Sequence, residues 1–157
     1  ENTFMSCRPE QADEFGEQFK ILPDSISGLG PFGAICSAFR EFPNNAWIVI
    51  ACDIPLIDQK TIMQLIQDRN PSKVATAFYN EETKFPDPLV TIWEPKAYPQ
   101  LMHFLSLGYS CPRKVLINSD TEVLQPANAN ALLNANSPDE YEQVMKLLKA
   151  NKAGEEN

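Results

Sequence analysis

The sequence predicts an α/β fold in three layers, with a mostly parallel sheet covered by helices on both sides. Two patterns carry this. Strand-like and helix-like segments alternate along the chain. The run Trp47-Ile48-Val49-Ile50-Ala51-Cys52 is apolar throughout, as expected of a strand buried on both faces, which belongs in a parallel sheet between helices. A length of 157 residues suits one domain with a substantial core. That domain is expected over 1–152, with 153–157 a frayed tail.

The elements follow in order. Thr3 to Cys7 is short and mostly apolar, and reads as a strand. Pro9 to Phe19 places Ala12, Phe15 and Phe19 at helical spacing, with Pro9 suited to the first turn. Lys20 to Leu22 is extended and ends at Pro23-Asp24. Gly28-Leu29-Gly30-Pro31-Phe32-Gly33 is a rigid turn, followed by a helix with Ile35, Ala38, Phe39 and Phe42 inward. Pro43-Asn44-Asn45 is a turn before the Trp47 strand, which stops at Asp53. Thr61 to Arg69 reads as a helix with Ile62, Leu65 and Ile66 on one face. Val74 to Tyr79 and Leu89 to Trp93 are strands separated by a polar loop, Glu81 to Pro88. Tyr98, Leu101, Met102 and Leu105 mark a helix ending near Gly108. A short helix over Pro112 to Ile117 and a short strand over Glu122 to Leu124 come next. Ser137-Pro138-Asp139-Glu140 is a capping box, opening a last helix with Tyr141, Val144 and Leu148 inward.

Composition narrows the function. Lys and Arg number 13 against 21 Asp and Glu, so the formal charge of −8 argues against non-specific nucleic-acid or anionic-membrane binding. The longest apolar run, Ala46 to Cys52, is too short to span a bilayer. Glu1 to Pro9 has neither the basic start nor the apolar stretch of a signal peptide, and a cytoplasmic location is expected. Cys7, Cys36, Cys52 and Cys111 form no CxxC pair and there is one histidine, so a Cys/His zinc site is not expected and reduced thiols are.

Asp53 is the most informative residue. In open α/β sheets ligands bind beyond the carboxyl ends of strands, and a carboxylate there suits Mg²⁺ bridging substrate phosphates. A strand-end Asp also suits ordinary turn capping, and position alone does not separate the two. The glycine-rich turn before the helix could admit an anion, or be only a tight connection. Asn134 and Asn136, at alternate positions, could face a ligand or hold a turn. His103 lies mid-helix with no obvious partner, and Cys52 ends a strand with no nearby base. A packing or surface role fits His103 better than catalysis, and inert packing fits Cys52 better.

Taken in order, Asp24, Gly30-Pro31-Phe32-Gly33, Ile48 to Asp53 with Ile54-Pro55, Pro88-Leu89-Val90, and Asn134-Ala135-Asn136-Ser137-Pro138-Asp139-Glu140 resemble the MobA-like nucleotidyltransferases, the molybdenum cofactor guanylyltransferase family. That family's pattern runs Asp, GPLxG, CDxP and NxNTPE, and the match spans roughly residues 3 to 145. The resemblance implies a Rossmann-like fold and transfer of GMP from GTP to molybdopterin, with release of diphosphate and a requirement for Mg²⁺. It implies that Asp53 holds Mg²⁺ beside the α-phosphate and that Asp24 contacts the nucleotide. Gly30, Pro31 and Gly33 would line the nucleotide site. Asn134 and Asn136 would lie near acceptor and metal, and Pro88 and Leu89 would wall the pterin. Other cofactor-biosynthesis proteins or a second copy of the chain are further candidate partners.

The sequence departs from the family at its start. The family opens on LxGGxSxRMGxDK, whereas this chain has six glycines, none adjacent. A leading unit of about 30 residues or more, contributing a central strand and the triphosphate cradle, is expected to be missing. Arg8 stands where many relatives carry Asn. Two other readings stay open: a related cytidylyl- or sugar-phosphate nucleotidyltransferase, and a non-catalytic interaction domain on the same fold.

Overall fold

In the computed structural model, which describes residues 2–135 together with Tyr141, Glu142 and Val144, strands and helices alternate as the sequence predicts. The chain runs through β1 (Met5–Cys7), a 3₁₀ helix (Pro9–Gln18), β2 (Ile21–Pro23), α1 (Pro31–Glu41), β3 (Trp47–Ile50) and α2 (Gln59–Gln67). It continues through β4 (Ala75–Asn80), β5 (Phe85–Trp93), α3 (Ala97–Ser106), α4 (Pro112–Ile117), β6 (Thr121–Leu124) and a 3₁₀ turn (Ala129–Leu132).

The main sheet has the order β3-β5-β4-β6. Strands β3, β4 and β6 run one way, and β5 runs antiparallel to both of its neighbours. The sheet is therefore mixed, because the β4–β5 connection spans only Glu81 to Lys84, too short for a crossover to a parallel strand. The expected eight-residue loop over Glu81 to Pro88 shrinks to this turn. Asn80 Oδ1 accepts the backbone N–H groups of Glu82 and Thr83 there, and Lys84 takes a left-handed φ of 62°. Pro86 and Pro88 lie in or beside an irregularity of the β4–β5 ladder, between Ala77 and Tyr79, where a strand tolerates missing donors. Strands β1 and β2 form a separate parallel pair, with Met5 opposite Ile21.

Three layers follow from side-chain alternation. On one face Ala75, Ala77 and Trp93 pack with Phe32, Ile35 and Phe39 of α1, Leu101 of α3, and Val115 of α4. On the other face Phe78, Val90 and Ile92 pack with Leu65 of α2, Ile54 and Leu132. Phe4, Phe42 and Trp47 join the starts of β1 and β3 to the end of α1, with ring centroids 5.6–5.7 Å apart.

Several expectations need correction. The Trp47 strand is not buried on both faces. Among the described residues β3 pairs only with β5, and Ile48 and Ile50 are each 41% exposed, while Trp47 and Val49 pack against the α1 side. The Pro9 helix is 3₁₀, and Phe19, just beyond it, is half exposed. On α2, Thr61 is buried and Ile66 exposed, and the helix starts earlier than expected, at Gln59, capped by Asp58, whose carboxylate accepts the Thr61 backbone N–H at 2.7 Å. Tyr141 is exposed whereas Val144 is buried. Ser137–Glu140 and Leu148 lie outside the described residues.

One buried charge closes the back of the sheet. Glu94 is 2% exposed, and Arg69 pairs with it through two bonds, Nε to Oε1 at 2.6 Å and the guanidinium NH₂ to Oε2 at 2.8 Å.

Candidate functional site

Beyond β3 the chain turns through Ala51-Cys52-Asp53, held by the Ala51 N–H donating to Leu89 O at 2.9 Å. The Asp53 side chain points one oxygen, Oδ1, inward, where it is buried and has no hydrogen-bond partner. A buried carboxylate oxygen without a partner loses its hydration for nothing, so such an atom marks a place for a ligand. The Ala135 N–H donates to the Asp53 carbonyl at 2.9 Å. This bond fastens the segment of Asn134 to the Asp53 turn across 82 positions of sequence (135 − 53).

Beside the turn lies a cavity of ≈ 100 Å³, lined by Ala51, Ile54, Asn80, Asp87, Arg113 and Asn134, with Pro88 and Leu89 as one wall. The wall is rigid. Asp87 Oδ1 accepts the Leu89 N–H and Oδ2 accepts Asn80 Nδ2, each at 2.9 Å. Thr91 Oγ1 donates to the Asp87 carbonyl, and Trp93 Nε1 to the Pro88 carbonyl at 3.2 Å. Two more groups on the lining are idle: Arg113 Nε and Thr83 Oγ1 are buried and unpartnered. Of the residues singled out from sequence, Pro88, Leu89 and Asn134 line this cavity, and Asp53 lies in the turn beside it between the lining residues Ala51 and Ile54. Asn136 lies outside the described residues.

Asn80, Asp87 and Arg113 were not singled out by the sequence. Asp87 adjoins the recognised Pro88-Leu89 pair, and that adjacency was its one available signal. Nothing in Cys111-Pro112-Arg113 marks Arg113, which reaches the cavity only because α4 packs on β5.

The remaining predicted residues form a second group. Asp24 follows β2, its N–H donating to Cys7 O at 2.9 Å and its Oδ1 accepting Ser6 Oγ at 2.9 Å. Gly30 caps α1 with φ 53° and ψ −139°, a conformation that favours glycine, and Pro31 takes the first helical position. Gly33 is required by the chain itself, since a Cβ there would lie 2.4 Å from Ile26 O. Among the described residues no hydrogen bond or ion pair joins this group to the Asp53 group.

Among the described residues no three His, Cys, Asp or Glu side chains cluster to hold a metal. Asp53 with its idle oxygen remains the fitting ligand for one hard cation that takes its other oxygens from substrate and water. Cys52, expected to be packed, is exposed; Cys7 and Cys36 are buried, and all four thiols are free. Burial pushes the Cys36 thiol up to about 12. His103 is exposed on α3. A larger recess of ≈ 410 Å³ between β2 and α1 shares no residue with the Asp53 cavity. No helix of the described residues is long and apolar enough to cross a membrane.

Residues 1–123 match the family model described as MobA-like NTP transferase domain. The chain is 31% identical over 145 residues to the "Molybdenum cofactor biosynthesis bifunctional protein" of Synechocystis sp., covering 92% of this chain and 42% of that protein. It is 30% identical over 110 residues to the "Probable molybdenum cofactor guanylyltransferase" of Bacillus subtilis, covering 68% of this chain and 54% of that protein. The chain therefore spans about half the length of these curated relatives. Its fold resembles the crystal structure of molybdopterin-guanine dinucleotide biosynthesis protein A from Archaeoglobus fulgidus, with a TM-score of 0.79 and 19% identity over 94% of this chain and 79% of that one.

Proposed function

The chain belongs to the MobA-like NTP transferase family, and from that premise we propose that the protein transfers GMP from GTP to molybdopterin, with release of diphosphate, in the cytoplasm. The relatives' names supply the substrates, and the orphaned oxygen of Asp53 beside the Asn134 and Pro88 cavity carries the assignment to residues.

The chemistry sets an acceptor phosphate oxygen against the α-phosphate of GTP. An O–P bond to the acceptor forms as the bond to diphosphate breaks, and no protein nucleophile is needed. Asp53 would hold Mg²⁺, a hard cation satisfied by one carboxylate together with phosphate oxygens and water. When bound there, Mg²⁺ supplies neutralisation of the charge that gathers between the two phosphates. The protein's part is positioning. The Ala51–Leu89 and Ala135–Asp53 backbone bonds hold the turn that carries Asp53. Asn134 and the Pro88-Leu89 wall orient the acceptor. Asp24 and the Gly30-Pro31-Gly33 turn take the nucleotide, the turn by presenting backbone at the start of α1.

The test is to incubate the intact protein with Mg²⁺, molybdopterin and each of GTP, CTP, ATP and UTP. Molybdopterin guanine dinucleotide and diphosphate should form with GTP. Product formed chiefly with CTP would reassign the nucleotide. Tight nucleotide binding with no turnover of any of the four would refute transferase activity.

A further inference from the structure

The cavity beside Asp53 holds more unspent polar chemistry than phosphate transfer uses. Asp87 is buried, and its carboxylate spends two of about four acceptor sites on Asn80 and the Leu89 N–H, leaving two. Arg113 Nε is a buried donor without a partner. These opposite charges line one cavity, yet no ion pair joins them among the described residues. Asp87 and Arg113 both line this cavity, and a ligand carrying donors beside an acceptor complements the two side chains.

Size narrows the class. An engineered cavity of about 150 Å³ holds benzene. At ≈ 100 Å³ this one takes the edge of a single six-membered ring, and the rest of a larger ring system stays outside it. A negative side chain presenting two acceptor sites suits a ring edge with adjacent N–H and NH₂ donors, and the arginine suits the neighbouring carbonyl. That edge is 2-amino-4-oxo-pyrimidine.

We propose that Asp87 and Arg113 determine acceptor specificity by reading the 2-amino-4-oxo-pyrimidine edge of the acceptor's pterin: Asp87 accepts from the amino group and ring N–H, and Arg113 donates to the carbonyl. This rests on the pterin acceptor proposed above. The Asn80–Asp87 bond keeps the carboxylate aimed, and Pro88 and Leu89 lie along the ring.

The test uses free pterin and lumazine, which lacks the amino group, as probes of the intact protein by fluorescence titration, with guanosine as competitor and GTP affinity measured separately. Pterin should bind at least about tenfold more tightly than lumazine, the loss typical of hydrogen bonds to a charged partner. Asp87→Asn and Arg113→Gln should each remove most of that preference while GTP affinity holds. In turnover the acceptor KM should rise with little change in kcat. Should Asp87→Asn fail to fold, the wild-type ratio and Arg113→Gln decide. Equal affinity for pterin and lumazine, or a preference untouched by the folded variants, overturns the proposal. So does guanosine displacing pterin competitively, which would make the cavity the base site of the nucleotide. Selective pterin binding without GMP transfer would refute the transferase reading and leave this one standing. Transfer with no pterin selectivity would do the reverse.

Discussion

The Ala135 backbone N–H donates to the carbonyl oxygen of Asp53 at 2.9 Å. Through this bond a segment after β6 locks the turn after β3, and an amide side chain, Asn134, comes to line the cavity beside the carboxylate. The Asp53 turn and the Asn134 segment are thus joined through backbone rather than through side chains.

Asp53→Asn should lower guanylyl transfer by about a hundredfold or more, the usual cost of removing a group that manages transition-state charge. The thermal midpoint should hold or rise, because the buried Oδ1 makes no hydrogen bond whose loss would destabilise the fold. Product assays and a melt on the same preparation check this. Full activity would remove Asp53 from the mechanism, and a large drop in the midpoint would make its role structural.

Gly33→Ala should destabilise by about 2 kcal/mol through overpacking, since the added Cβ would meet backbone at 2.4 Å. Gly30→Ala meets nothing within 4 Å, and its cost is backbone strain at φ 53°, about 1 kcal/mol. Denaturant midpoints should therefore rank wild type above Gly30→Ala above Gly33→Ala. The reverse order would place the strain elsewhere in the turn.

Arg69→Met should cost about 3 kcal/mol, at the low end for breaking a buried pair because Arg69 itself is partly in solvent. The penalty comes from leaving the 2%-exposed Glu94 carboxylate unpaired. Adding Glu94→Gln should recover part of it, and urea unfolding of the single and double variants measures the coupling. Additive losses would show that the two residues act independently.

Asp58 caps α2, and the Thr61 backbone N–H, followed by the Thr61 hydroxyl, holds its carboxyl below the usual carboxylate range. With a folded pKa below the unfolded value of about 3.9, its stabilisation is present above that value and lost as pH falls through the folded pKa. Asp58→Ala should therefore cost about 1–2 kcal/mol at neutral pH. The gap from wild type should narrow below about pH 4. Urea midpoints at neutral and acid pH check the sign, and a gap that does not change with pH would rule out a charged cap.

The features legible in one dimension are local and periodic. The apolar run before Asp53 places a carboxylate just past a strand, helical spacing marks α2 and α3, and the ordered motifs from Asp24 to Asn134 carry the family. These signals survive in one dimension because they depend on neighbours three or four positions apart, or on short turns. Long-range packing settled what depends on distant partners. Among the described residues it set β3 at an edge with Ile48 and Ile50 exposed, since burial depends on what lies alongside a strand and not on its own composition. It reversed β5, because four residues cannot carry a crossover. It also brought Asn80, Asp87 and Arg113, from β4, β5 and α4, to one cavity beside Asp53. Each of those residues is unremarkable where it stands in the chain, and their chemistry arises from convergence, which only long-range packing creates.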